Sequence, residues 1–167
     1  YAYFSDFSES SQFYLVQEYV EGQTLASKLQ EQGLMSESTV KEILTSILPV
    51  LEYVHSKGIV HRDIKPDNIL IRHADGKPVL IDFGAVKETV GTLISPSLNS
   101  TQSIVIGTPG FMASEQSVGR PMFASDIYSL GLTAIYLLTG KTPQQLTTDP
   151  GTGTLVWRQY AVNVTPS

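Results

Sequence analysis

His61-Arg62-Asp63-Ile64-Lys65-Pro66-Asp67-Asn68, followed further along by Asp82-Phe83-Gly84, concentrates chemically active side chains between apolar runs. Asp63 supplies a carboxylate able to accept a hydrogen bond, and then a proton, from a hydroxyl. Lys65 brings a positive charge close to it. Asn68 and Asp82 offer hard oxygen atoms of the kind that suits Mg²⁺. The stretches Asn68–Arg72 and Pro78–Asp82 read as short strands joined by the turn sequence Ala74-Asp75-Gly76-Lys77. Such a hairpin would bring Asn68 and Asp82 together. A single Asp is most often a helix cap or a solvated carboxylate, so the weight rests on the combination.

Working outward, Val40, Ile43, Leu44, Ile47, Leu48, Leu51 and Val54 recur at three- and four-residue spacing, which predicts an amphipathic helix. Ser36 is a good N-cap with Glu37 in the first turn, and Gly58 ends the helix after Lys57. Pro49 inside it predicts a kink. Tyr3–Phe4 and Phe13–Val16, separated by the polar stretch 5–12, have the pattern of a β-hairpin, and Thr24–Gln30 reads as a short helix. Downstream, 88–106 is rich in Ser, Thr and Gly without periodicity, which predicts a long loop. Ser125 reads as the cap of a second helix, Asp126–Thr139, that ends at Gly140. Ile127, Leu130, Leu132, Ala134, Ile135, Leu137 and Leu138 lie on nearly every face of it, the mark of a core helix. Thr165-Pro166 has the look of a further helix start.

Of the 167 residues, 41% are apolar and 16% charged, with 11 basic and 16 acidic side chains and a net charge of −5. This is the composition of a globular chain, and it argues against a nucleic-acid footprint, which needs a basic surface. No uninterrupted apolar run is long enough for a membrane span. With no Cys, disulfides and thiolate metal sites are excluded. A cytoplasmic location is the expectation.

His61 to Asn68 resembles the catalytic loop of the protein kinases, and Asp82-Phe83-Gly84 resembles their metal-binding triplet. Gly107-Thr108-Pro109-Gly110-Phe111-Met112-Ala113-Ser114-Glu115 resembles the end of the activation segment, with Ser114 where the family usually has Pro. Asp126-Ile127-Tyr128-Ser129-Leu130-Gly131 resembles the start of the family's central buried helix. The motifs occur in family order between about Phe13 and Lys141. The resemblance implies an α+β, protein-kinase-like fold. It implies a division into 1–20, the end of the N-terminal lobe and hinge, and 21–167, a mainly helical C-terminal lobe with a few short strands.

The resemblance also implies roles. Asp63 would orient and deprotonate the acceptor hydroxyl, Lys65 would face the moving phosphoryl group, and Thr108 would hydrogen-bond both. Asn68 and Asp82 would hold Mg²⁺. Glu18 and Val20, in the hinge-like Gln17-Glu18-Tyr19-Val20, would hold the adenine edge of ATP through their backbone, with Leu70 beneath the ring. Lys65 resembles the residue of serine/threonine kinases, which implies protein Ser or Thr hydroxyls as acceptors, and the run Gly107-Thr108-Pro109-Gly110-Phe111-Met112-Ala113 resembles bacterial-type members. His61 resembles a structural core histidine, whereas His55 and His73 read as surface or helix-end residues. Arg62 and Lys87 suggest a basic pocket for a phosphate on one of the hydroxyls between Glu88 and Ile106. The glycine-rich phosphate loop and its partner Lys match nothing in these residues, so the expectation is that they alone do not catalyse transfer. Two other readings stay open at this point: a non-catalytic pseudokinase scaffold, and a small-molecule phosphotransferase of kinase-like fold.

Overall fold

The computed structural model describes residues 2–5, 13–83, 87–88 and 107–165. Of the loop expected at 88–106, Glu88 lies in a short strand, and 89–106 with its hydroxyl residues lies outside the described residues, as do Gly84 and Pro166. The first two strands, β1 (Ala2–Ser5) and β2 (Phe13–Val16), pair antiparallel in the expected hairpin, with Tyr3 opposite Leu15.

Beyond Gln17–Val20, β3 (Gly22–Thr24) leads into α1 (Leu25–Gln32). Thr24 caps α1 by accepting the Ser27 N–H at 3.1 Å, and Gly33 closes it at φ 81°, where glycine is unstrained. Helix α2 (Glu37–Ser56) is capped as the sequence predicts, the Ser36 hydroxyl accepting the Thr39 N–H at 3.1 Å. Its secondary structure continues unbroken through Pro49, which lies on the exposed side. The buried residues Val40, Ile43, Ile47, Leu51 and Val54 follow the predicted stripe, whereas Leu48 is exposed.

After the short strand β4 (Ile59–Val60) the chain runs through the motif loop and a 3₁₀ turn at Pro66–Asn68 into β5 (Ile69–Arg72). β6 (Pro78–Leu80) pairs with β5, and β5 also pairs with β3, giving a three-stranded antiparallel sheet. Both strands are shorter than the sequence suggested, because Asn68 closes the 3₁₀ turn and Ile81–Asp82 leave the ladder. β7 (Lys87–Glu88) pairs with β4.

Past the short helix α3 (Ser114–Ser117), α4 spans Phe123–Thr139 and ends at Gly140 in the left-handed region. It starts three residues before the expected point. Ser125 is not the N-cap: it sits inside the first turn and its hydroxyl accepts the Met122 N–H at 3.0 Å. Nor is the helix buried all round, since Ile127 and Tyr128 are about half exposed while Asp126, Ser129 and Thr133 are buried. Helices α2 and α4 pack together over a core that includes Ile47, Leu51, Ile64, Ile69, Leu130 and Leu137. Two small strands, β8 (Thr147–Thr148) and β9 (Leu155–Val156), pair antiparallel and are followed by a 3₁₀ turn at Arg158–Tyr160.

Leu51 is fully buried at the centre of this core. Leu51→Ala should therefore lower the unfolding free energy by about 2–5 kcal/mol, the usual range for a buried Leu truncation. A urea titration of wild type and variant reads the difference, and a loss under about 0.5 kcal/mol, the scale of a surface site, would contradict the packing described.

Candidate active site

The motif loop between β4 and β5 carries Asp63, Lys65 and Asn68, and Thr108 from the downstream segment joins them in one hydrogen-bonded cluster. Thr108 Oγ1 donates to Asp63 Oδ1 at 2.7 Å and accepts from Lys65 Nζ at 2.8 Å. Lys65 Nζ also stands 3.4 Å from Asp63 Oδ2. Asn68 Nδ2 donates both to the Asp63 carbonyl at 2.7 Å and to Oδ2 at 3.0 Å. Each carboxylate oxygen is thus held by a neutral donor, yet the Asp63 side chain keeps 17% exposure. A hydroxyl arriving from solvent can still reach it.

The β5–β6 register explains how Asp82 comes to the same place. Ile69 is opposite Leu80, and the Ile81 N–H donates to the Asn68 carbonyl at 2.9 Å, so Asn68 and Asp82 leave adjacent strand ends. Asp82 is exposed and adopts φ 61°, uncommon for a residue other than glycine. Asn68 turns its amide nitrogen toward Asp63, which leaves its carbonyl oxygen as the end suited to a cation. An amide oxygen and an exposed carboxylate on neighbouring strand ends fit Mg²⁺, a hard cation that keeps several waters.

His61 is fully buried, as a structural histidine should be. Its Nε2 meets the Ile81 carbonyl at 3.0 Å and its Nδ1 accepts the Asp63 N–H at 3.3 Å, so the ring is neutral with the proton on Nε2. Its edge packs against Phe83.

The sequence reading missed what holds this loop from beneath. Asp126, on α4 and 1% exposed, accepts the His61 N–H through Oδ2 and the Arg62 N–H through Oδ1, both at 2.9 Å. His55 Nε2 meets Oδ2 at 2.8 Å, and the His55 ring stacks on Phe123. His55 is at a helix end as expected, but mostly buried and bonded. Between these contacts Arg62 adopts φ 70°, and its Nε is buried without a hydrogen-bond partner. On the other side Gln116 Nε2 donates to the Arg62 carbonyl. One signal for Asp126 did exist: an Asp inside an otherwise apolar helix is seldom buried unless paired. Gln116 carries no such signal.

The hinge-like residues are placed apart. Glu18 and Val20 lie in the irregular connection before β3, where Glu21 accepts the His73 N–H at 3.0 Å. Glu18 helps to raise the Arg72 pKa, behind the larger effect of Asp75. Leu70, half-buried on β5, faces Thr24 across the sheet. Leu70 is linked to the cluster through β5, two residues after Asn68. Ser114 opens α3 at the position where a proline is equally at home, and Ala113 before it is extended, so the turn forms without proline.

The protein kinase domain model matches residues 2–165. The chain belongs to the protein kinase family. Serine/threonine-protein kinase PknA of Nostoc sp. is 64% identical over all 167 residues, which are 29% of that protein. Serine/threonine-protein kinase C of Synechocystis sp. is 59% identical over the whole chain, 31% of its own length. The yeast MAP kinase kinase MKK1/SSP32 is 37% identical over 86% of the chain, 27% of that protein. The chain therefore spans under a third of the length of these relatives. Among the described residues, no helix is long and apolar enough to cross a membrane.

Burial holds the His61 pKa of this kinase segment below the ordinary 6.5, against the Ile81 carbonyl and the nearby carboxylates, which pull it up. The unfolded chain therefore takes up this proton first. Stability that depends on neutral His61 is complete above about pH 6.5 and declines as the pH falls below it. Between about pH 7.5 and about pH 5.5, the wild type should lose more unfolding free energy than His61→Leu. Parallel losses in denaturant titrations at the two pH values would contradict this.

Proposed function

We propose that the protein containing this chain transfers the γ-phosphoryl group of ATP to Ser or Thr hydroxyls of protein substrates. The observation that carries the reading is the Asp63 carboxylate, clasped by Thr108, Asn68 and Lys65 yet open to solvent. Phosphoryl transfer asks a protein chiefly to position groups and to neutralise charge, and the cluster is suited to both. The acceptor hydroxyl donates to Asp63, which takes the proton as the new O–P bond forms and the bond from the γ-phosphorus to the β-phosphate oxygen breaks. ADP departs, and the proton returns to solvent. The Lys65 ammonium lies beside that path and offsets charge on the transferring group. Thr108 and Asn68 keep the carboxylate from rotating away from the hydroxyl.

Asn68 and Asp82 are the proposed Mg²⁺ ligands; the ion, when bound, neutralises phosphate charge. Glu18 and Val20 would hold the adenine edge through backbone groups and Leu70 would lie beneath the ring. Residues 1–20 then close a smaller lobe and hinge, and 21–167 belong to the larger lobe. The names of the bacterial relatives support the choice of Ser and Thr acceptors. The intact Asp63, Lys65, Asn68 and Asp82 weigh against a pseudokinase.

In the full-length protein Asp63→Asn should lower kcat by about 10²–10⁴-fold, the range for losing a positioned acid–base group. The KM for ATP should hold, because Asp63 serves the hydroxyl side. A steady-state assay with a Ser-containing protein substrate measures both, and near-normal turnover in the variant would remove Asp63 from this role.

A further inference from the structure

We propose that Gln116 is a positioning residue: its side-chain amide grips the Arg62 carbonyl and couples the 107–117 segment to the catalytic loop. Gln116 is 2% exposed, and buried side-chain amides are as a rule hydrogen-bonded, as the Nε2 of this one is. Its Nε2 donates to the carbonyl of one of the two described residues other than glycine with positive φ. Arg62 is held at φ 70°, its N–H bonded to Asp126 and its C=O to Gln116. An uncommon backbone conformation persists where the surroundings over-determine it, and here side chains from two separate segments do so.

The fit around this bond is close. Gly107 adopts φ 137°, and a Cβ there would stand 3.0 Å from the Arg62 carbonyl oxygen and overlap the Gln116 amide. With the segment packed so tightly over the carbonyl, loss of the Gln116 amide would leave a covered acceptor short of its donor.

The consequence reaches Asp63 because the same two segments meet a second time. Thr108 donates to the Asp63 carboxylate at 2.7 Å. Thr108, which also accepts from Lys65 Nζ at 2.8 Å, holds the loop at a single atom about which the segment could pivot; the Gln116 bond adds a second point and fixes the angle. Other tethers hold the segment to the body of the fold: Ser129 to the Phe111 carbonyl, and Gln144 to the Pro109 carbonyl, each at 2.8 Å. Gln116 reaches the loop backbone itself, through the Arg62 carbonyl next to Asp63.

The kinetic part of the test rests on the phosphoryl-transfer reading. Gln116→Met keeps the length and removes the donor. Gln116→Glu presents an acceptor when ionised and regains a donor when protonated, and burial raises the pKa of such a carboxyl. In the full-length protein near neutral pH, Gln116→Glu should lower kcat about tenfold, the scale of one hydrogen bond, with the KM for ATP held within about twofold. As the pH falls, the ratio of its kcat to that of wild type should rise, while the Gln116→Met ratio stays low and flat. The neighbouring groups His61, Arg62, Asp63, Lys65, Glu115 and Asp126 are common to all three proteins; their charges help set the pH at which the introduced carboxyl takes up its proton, and the Gln116→Met ratio controls for any effect of their own on kcat. A flat Gln116→Glu ratio, or wild-type kcat in Gln116→Met, overturns the proposal. Hydrogen exchange of the peptide 59–65 gives a readout independent of activity, and should be faster in Gln116→Met than in wild type. An inactive wild type would sink the phosphoryl-transfer reading alone, and unchanged exchange would then overturn the tether by itself.

Discussion

A carboxylate with almost no contact with water sits at the centre of this structure, and its need for donors dictates the path of the chain above it. Asp126 lies in the first turns of α4, 1% exposed, and a charge so placed is tolerated only when it is hydrogen-bonded. Two of its three donors are backbone N–H groups, those of His61 and Arg62; the third is His55. Backbone donors cannot rotate to meet an acceptor as side chains can, so the carboxylate fixes the chain itself. Removing one partner of a buried charge costs about 3–5 kcal/mol, which is reason enough for the loop to stay where Asp126 holds it.

The site is built on that anchored loop. Asp63 follows directly, and the Asn68 amide reaches back to it across the 3₁₀ turn. The β5–β6 hairpin then returns the chain to deliver Asp82, its register carried past the last ladder pair by the bond from Ile81 to Asn68. His61 joins the two halves from inside, bonded to the Asp63 amide on one ring nitrogen and the Ile81 carbonyl on the other. This requires a neutral ring, so one buried imidazole links the loop's geometry to its protonation.

How much of this could be read beforehand divides by sequence distance. The cap at Ser36, the stripe on α2 and the turn at 74–77 depend on residues a few positions apart, and local pattern reveals them. Thr24, read as the first residue of its helix, is instead its cap, and the hairpin register that sets Ile81 beside Asn68 follows from the turn. The cluster of Asp63, Lys65, Asn68 and Thr108 was legible through motif resemblance, although Thr108 comes from far downstream. Asp126 and Gln116 were not assigned their roles, because their partners are more than fifty positions away and neither local propensity nor periodicity records such a bond. Ser125 misled for a related reason. A hydroxyl at the start of a helix reads as an N-cap, yet this one bonds back from within the first turn and also donates to Glu115.

Arg62 and Asp82 are the two residues other than glycine with positive φ among the described positions, and they bracket the segment that carries Asp63, Lys65 and Asn68. Side chains at such angles raise the energy of the folded backbone, and glycine would lower it. Selection for thermal endurance alone would therefore favour glycine at both places. It would also enlarge the conformational freedom of the chain at both ends of the site, where function needs it smallest. Heat resistance and turnover should thus pull these two positions in opposite directions. A laboratory lineage screened only for survival at high temperature would drift toward a sturdy protein with a slack active centre.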